Sequence, residues 1–261
     1  MSIFAIMKRR YFLQCSFWGK NYSGWQKQPD QKSIQSSIDE ALSTAIQENI
    51  EVMGAGRTDT GVHAKYFIAH FDTETNLSEI PNFIYKLNNI LPEDIAAKNI
   101  FEVDNESHAR FDAIQRSYKY LITTRKDPFE LDFAYYVKND LDVKLMHMCA
   151  QQLTSFSNFK SFSKVKTAVR TFNCNVINAQ VKNRDHLVIF EITANRFLRN
   201  MVRAISGTLI DVGLGKKTIE DFESIIKSQD RRNAGKSVPA KGLYLTDIVY
   251  PYKLKSIYEQ K

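Results

Sequence analysis

A tight, glycine-bracketed turn between two strand-like runs is the feature that most limits how this chain can be built. Residues 54–64 read Gly-Ala-Gly-Arg-Thr-Asp-Thr-Gly-Val-His-Ala. Gly54, Gly56 and Gly61 fall within eight positions of a chain that holds only ten glycines. Glycine tolerates φ > 0 and lets other groups approach the backbone closely. Ile50 and Val52 lead into the turn, and an apolar run from Val62 to Phe71 leads out. Arg57, Thr58 and Asp59 therefore stand together on a turn that joins two strands. An ordinary surface turn is the alternative, although such turns favour Asn-Gly or Asp-Gly with no charge pair beside them.

The elements around this turn follow from hydrophobic spacing. Tyr11, Leu13, Cys15 and Phe17 alternate as in a half-buried strand. Residues 21–29 read as a loop with two exposed-type aromatics, Tyr22 and Trp25. Ile34, Ile38, Ala41, Leu42, Ala45 and Ile46 repeat at helical spacing, with Ser33 as the N-cap. A second helix around Phe83 to Leu91 precedes a strand near 100–103. The first half is thus β-α-β-β-α-β, helices on a sheet in an α+β arrangement. Polar residues 104–117 mark the boundary, giving a 1–104 half and a 105–261 half. The second half predicts a strand over 117–124, a helix with Val143, Met146, Cys149, Ala150 and Leu153 on one stripe, and strands near 172–181 and 187–193. A long helix over 196–212, a short helix opening at Thr218 and a last strand over 242–250 complete it.

Composition narrows the function classes. With 43% hydrophobic residues, 17 Phe and 12 Tyr, the 261-residue chain can bury a sizeable core. A net charge of +7 and a pI near 9.1 favour a polyanionic partner. Three distant cysteines with no CxxC pair argue against a zinc site or a disulfide framework and suit a reducing cytoplasm. The apolar run Ile3 to Met7 before Lys8-Arg9-Arg10 is too short for a signal peptide, and no stretch reads as membrane-spanning. The five histidines show no HExxH pattern, so no metal is expected, and His63 reads as a structural hydrogen-bonding group. No Walker lysine follows the glycines, which excludes an NTP-binding P-loop.

Two further places could carry chemistry. On the predicted long helix, Phe197, Leu198, Met201, Val202, Ile205 and Leu209 cover one face. Arg196, Arg199 and Arg203 would lie within about 60° of one another on the other side. That row is either a solvated basic face or a set of phosphate contacts and an anchor for a carboxylate. Arg116-Ser117-Tyr118-Lys119-Tyr120 alternates basic and aromatic residues along a strand, which is equally a sheet with one aromatic face.

Gly56-Arg57-Thr58-Asp59-x-Gly61-Val62-His63-Ala64 resembles the signature of the tRNA pseudouridine synthase A family. Phe197-Leu198-x-x-Met201-Val202-Arg203 is similar to that family's second motif, Arg116-x-Tyr118-x-Tyr120 to a third segment, and Gly242-Leu243-Tyr244-Leu245 to its C-terminal strand. Phe159-x-Ser161-Phe162 resembles a weaker segment. The order is the family's, while Lys65, Tyr66 and Lys241 depart from its pattern. The resemblance implies the pseudouridine synthase fold: two similar halves of mainly antiparallel sheet flanked by helices, with a basic cleft between them. It implies cofactor-free isomerisation of uridine to pseudouridine in the anticodon stem-loop of tRNA, at positions 38 to 40 in that family, by a cytoplasmic homodimer.

Carried over residue by residue, Asp59 is the nucleophile, acting at ribose C1′, at uracil C6 or through a glycal. Arg203 would hold Asp59, since an adjacent guanidinium favours an ionised carboxylate. Tyr118 would pack on the target base and is a candidate to handle its C5 proton. Leu243 and Leu245 would wall the uracil pocket, and Arg57 would fill the space a flipped uridine leaves or hold a phosphate. Lys8, Arg9, Arg10, Lys164, Lys166, Arg170, Arg196, Arg199, Arg231 and Arg232 are expected, as a group, to contact phosphates. Two rival readings are a non-catalytic RNA-binding module, which would tolerate Asp59→Asn, and a hydrolase that acts on free nucleotides.

Overall fold

The computed structural model describes residues 8–165 and 169–258; Ile3 to Met7 and Lys166 lie outside these. The chain divides into two units, one running to Ile114 and resuming at Asp247, the other spanning Gln115–Thr246. The boundary read at 104/105 falls inside the first unit. A composition shift marks the polar loop there, but no local pattern could register that the last residues return to the first unit.

In the first unit, β1 (Arg9–Phe17) lies between β3 (His63–Thr73) and β4 (Ile95–Val103), antiparallel to both. Leu13 stands opposite Ala69 on one side and Ile100 on the other. The short β2 (Met53–Gly54) pairs with β3 at Ala69 and His70, and the backbone N–H of Ala55 extends the ladder to Ile68. The strand expected from Ile50 and Val52 is therefore displaced and only two residues long. β1 is buried on both faces at its centre: Phe12 packs its ring 5.3 Å from Tyr250 of the returning segment. Farther along that segment, the Ile257 N–H donates to Ile100 O at the outer edge of β4.

Helix α1 (Ile34–Ile46) starts where expected, because Ser33 and Ser36 form a capping box. It ends at Gln47 in the left-handed conformation, and Ile34, Ile38 and Leu42 are fully buried. Helix α2 (Phe83–Ile90) buries Phe83 and Leu87.

In the second unit, β5 (Gln115–Thr123), β8 (Leu187–Ala194) and β7 (Val176–Arg184) form an antiparallel sheet, with Tyr120 opposite Phe190 and Phe190 opposite Val181. A two-residue β6 (Tyr135–Tyr136) runs parallel to β5. Helices α3 (Val143–Gln152), α4 (Met201–Gly213) and α5 (Ile219–Ser228) pack on one another, α3 also lying on β7. Asp142 caps α3 through the Leu145 N–H, and Thr218 with Asp221 makes a capping box on α5. α4 is buried almost all round, as the core helix of its unit. β9 (Leu243–Val249) begins in this unit and ends in the first.

The structure is an α+β fold of mainly antiparallel sheet with helices, as the sequence predicts. Cys15, Cys149 and Cys174 are all buried free thiols, and burial raises each well above the ordinary thiol range. Among the described residues no helix is long and apolar enough to cross a membrane.

Candidate active site

The turn holding Asp59 is built by a clasp of backbone contacts within the first unit. The Val62 N–H donates to Asp59 O at 3.1 Å, and Gly61 sits at φ +77°, which closes a reverse turn over Thr60. The Trp25 N–H donates to Thr58 O, and a Cβ on Gly24, itself at φ +94°, would lie 2.4 Å from that oxygen. Gly19 approaches from the other end: a Cβ there would lie 1.9 Å from Val62 O. The Gly19 N–H donates to His63 Nδ1 at 3.0 Å, and Trp18 stacks on the His63 ring at 3.9 Å.

Gly54 is glycine because the Trp25 indole lies where its Cβ would be, at 2.5 Å. Trp25 in turn stacks on Phe67 at 4.1 Å and packs near Phe17. The outcome is a half-buried Asp59 beside an exposed Arg57, on a turn fixed from three directions.

Tyr22 and Trp25 correct the sequence reading. Both are buried, at 2% and 3% exposure, because Trp25 fills the space above Gly54 and the Tyr22 hydroxyl bonds Asp94. Loop residues 18–25 thus support the turn, a role the sequence reading missed. A signal was available: two tryptophans, a tyrosine and two glycines lie within eight residues, too apolar for a solvated loop.

The other predicted residues lie in the second unit. Tyr118 stands on β5 opposite Ile192, half-buried, with its ring edge-to-face against Phe197 at 5.0 Å. Tyr120, two residues on and so on the same face of the strand, is fully buried and donates its hydroxyl to Pro239 O at 2.8 Å. Burial pushes the Tyr120 hydroxyl far above the ordinary phenol range, which makes it a structural donor. Arg203 Nε donates to Val238 O at 2.8 Å, while the Val238 N–H donates to Arg203 O. Segment 231–238 is fitted tightly to α4: Gly207 admits Lys236 O where a Cβ would clash at 1.8 Å, and the Gly235 N–H donates to Thr208 Oγ1. Leu243 and Leu245 are buried on one face of β9, and Gly242 lets that strand close on the Tyr120 ring.

The row of three arginines on one helix is not realised. α4 begins at Met201, after Asn200 adopts φ 67°, so Arg196 and Arg199 lie in the loop before it and only Arg203 is helical. Asparagine tolerates the left-handed conformation, and here that conformation ends the loop and sets the direction of the helix. Arg199 is exposed, and its carbonyl accepts the Lys164 N–H. Among the other basic residues, Arg9 pairs with Glu102, Arg10 with Asp72 and Arg232 with Asp230. Ser161, in the weaker motif, is buried and donates to Ile225 O, which fastens that segment to α5.

Comparison with known proteins shows the family. A family model described as tRNA pseudouridine synthase matches residues 15–112 and 150–251. The chain belongs to the tRNA pseudouridine synthase family. A protein of Parabacteroides distasonis named tRNA pseudouridine synthase A is 46% identical over 246 residues, covering 94% of this chain and 98% of that relative. One of Bacteroides fragilis with the same name is 44% identical over 247 residues, with the same two coverages. A Clostridium tetani protein named tRNA pseudouridine synthase A 2 is 41% identical over 254 residues, covering 94% of this chain and all of the relative. Pseudouridine synthases are isomerases, and the matches extend the resemblance read on short segments over nearly the whole chain.

Proposed function

We propose that this chain isomerises uridine to pseudouridine in the anticodon stem-loop of tRNA, at the positions 38 to 40 that its family resemblance implies. What carries the reading is the family match, joined to an aspartate turn that the fold holds from three sides. In the reaction the C1′–N1 glycosidic bond breaks and a C1′–C5 bond forms. The C5 hydrogen leaves as a proton and N1 gains one, so atoms balance without redox change or energy source.

Asp59 supplies the carboxylate that starts this exchange, and Arg203 keeps it ionised. Tyr118 packs on the base and handles the C5 proton, while Leu243 and Leu245 keep water from the detached uracil. A uridine stacked in a stem is out of reach, so it is flipped out at a cost of a few kcal/mol. The exposed Arg57 beside Asp59 suits the vacated space or a neighbouring phosphate. Arg199 and the other basic residues contact the backbone, which makes binding salt-dependent. The enzyme works in the cytoplasm as a homodimer.

Tritium release from tRNA labelled at uridine C5 tests this. Release by the wild type and its loss in Asp59→Asn, with tRNA binding kept, is the expected result. Binding without release from either protein would leave an RNA-binding module, and activity on free nucleotide would favour the hydrolase.

A further inference from the structure

Loop 107–112 of the first unit carries an exposed phenyl ring that the reaction as described makes no use of. Phe111 is 75% exposed, and a single exposed apolar residue is ordinary on its own. This one is set apart by how firmly its loop is held. The Ala109 N–H donates to Nδ1 of the buried His70 at 3.2 Å. The N–H groups of Arg110 and Phe111 both donate to Nδ1 of His108, at 3.1 and 3.2 Å. The His108 N–H donates to Asp112 Oδ2 at 2.8 Å, and the Asp112 N–H returns to His108 O at 3.1 Å. The returning segment closes the loop: Tyr250 donates its hydroxyl to Ala109 O at 2.6 Å, and Tyr252 donates to Asp112 Oδ2 at 2.7 Å. Burial holds His108 below the ordinary imidazole range and takes His70 down to about 4. Both rings are therefore neutral near pH 7, which keeps each Nδ1 an acceptor.

The rings form a file. His70 meets His108 edge to face at 4.6 Å, and His108 meets Phe111 at 4.2 Å with the planes 35° apart. The Arg110 guanidinium lies 5.7 Å from the Phe111 ring centroid. The file starts inside β3 and ends in solvent, on a ring that its neighbours leave mostly uncovered. A phenyl group pinned through its backbone loses little freedom when another flat group covers it. Phenyl, imidazole and guanidinium are also the groups on which unpaired RNA bases stack. β3 begins at His63, beside the Asp59 turn, and His70 stands farther along the strand, about 23 Å from its start at strand spacing. A base on Phe111 is thus a different base from the uridine taken up at the turn.

We propose that Phe111 is a stacking platform for an unpaired base of the tRNA substrate, away from the uridine that is isomerised. This rests on the reading of the chain as a tRNA-modifying enzyme. The contact covers a ring and neutralises no phosphate, so its signature in salt differs from that of a lysine or arginine contact.

The test compares the wild type with Phe111→Ala, Phe111→Leu and Phe111→Tyr. Tyr85→Ala is the control, an aromatic residue of α2 in the same unit that is 69% exposed. Dissociation constants are measured by fluorescence anisotropy over a series of KCl concentrations, for a tRNA transcript and for a fully paired RNA duplex of the same length. Phe111→Ala should bind tRNA about tenfold more weakly. Phe111→Leu should bind nearly as weakly, and Phe111→Tyr within about twofold of the wild type. The slope of log Kd against log salt should be the same in all of them, because stacking releases no counterions. Phe111→Ala should leave duplex affinity unaltered, and the control should keep the wild-type values throughout.

Unchanged tRNA affinity in Phe111→Ala, full affinity in Phe111→Leu, or an equal loss on the duplex would overturn the platform. A change of oligomeric state in Phe111→Ala, read by light scattering, would place a second copy of the chain on this ring and refute the RNA contact. The two readings fail separately. Tritium release with unaltered RNA binding in Phe111→Ala removes only the platform, and absent release with the Phe111 losses intact removes only the reaction.

Discussion

The backbone N–H of Gly19 donates to Nδ1 of His63 at 3.0 Å, and both residues are buried. An accepting Nδ1 fixes the proton of the neutral ring on Nε2. Removing the acceptor strands a buried amide, at a cost of about 1–3 kcal/mol, and removes the stack on Trp18. His63→Ala should therefore lower stability by about 2 kcal/mol or more in urea unfolding. His63→Asn, whose amide oxygen reaches a similar point, should recover about half of that. Equal losses in both variants would mean that the ring's bulk, and not its acceptor, is what the turn needs.

Gly24 and Gly56 make a sharper pair. Gly24 combines φ +94° with a backbone oxygen 2.4 Å from any Cβ, whereas Gly56 has neither a positive φ nor a neighbour within 4 Å of that point. Gly24→Ala should cost at least about 2 kcal/mol and displace the Thr58–Asp59 backbone, so that tritium release falls with stability. Gly56→Ala should stay within about 0.5 kcal/mol of the wild type in the same unfolding measurement. A stable Gly24→Ala protein with full activity would show that loop 18–25 does not fix the turn.

How far the sequence reaches is visible in these same residues. The turn, the strand that follows it and Ser33 as a cap were legible because glycine spacing, alternation and capping are local. The supporting loop was not, because Gly24 is required by Thr58 and Gly54 by Trp25, contacts between residues about thirty positions apart. The start of α4 was misread because apolar spacing runs on through 197–200, while the left-handed Asn200 breaks the helix without breaking the pattern. Lys160, Lys164, Arg231 and Arg232, which line one cavity of the second unit, were legible only as scattered charge. Lys160 and Arg232 become neighbours only after the segment holding Ser161 docks on α5.

Asp39 should make stability depend on pH with an unusual sign. Its Oδ1 accepts the Val52 N–H at 2.8 Å on the approach to β2, while Oδ2 has no hydrogen-bond partner among the described residues. Burial raises the carboxyl to about 6, from 3.8. Between these values the folded protein binds more protons than the unfolded chain, so this group's contribution falls as pH rises through about 4 to 6. Asp39→Asn should then be more stable than the wild type by about 1 kcal/mol at pH 7.5, and the gain should vanish near pH 4. His70 works the other way: burial pushes it down to about 4, and it loses stability as pH falls from about 6.5. It is common to both proteins and cancels in their difference. A gain that is constant with pH would remove the titration of Asp39 from the explanation.

Arg203 is the position where a conservative change should separate chemistry from fold. Its Nε donates to Val238 O, and its backbone carbonyl receives the Val238 N–H, so both the guanidinium and the backbone at Arg203 are tied to Val238. Lysine keeps the charge but offers a compact ammonium on a flexible stem, without the planar fork or the Nε bond. Losing that bond should cost about 1 kcal/mol, a fall of about 2–4 °C in Tm for a chain of this size. If, as proposed, Asp59 is the nucleophile and the fork aligns its carboxylate, Arg203→Lys should lower kcat for tritium release about a hundredfold. The tRNA Kd should stay within about twofold, because the charge remains. A matched rise in Kd with kcat unchanged would place Arg203 among the phosphate contacts and leave Asp59 to be held by another group.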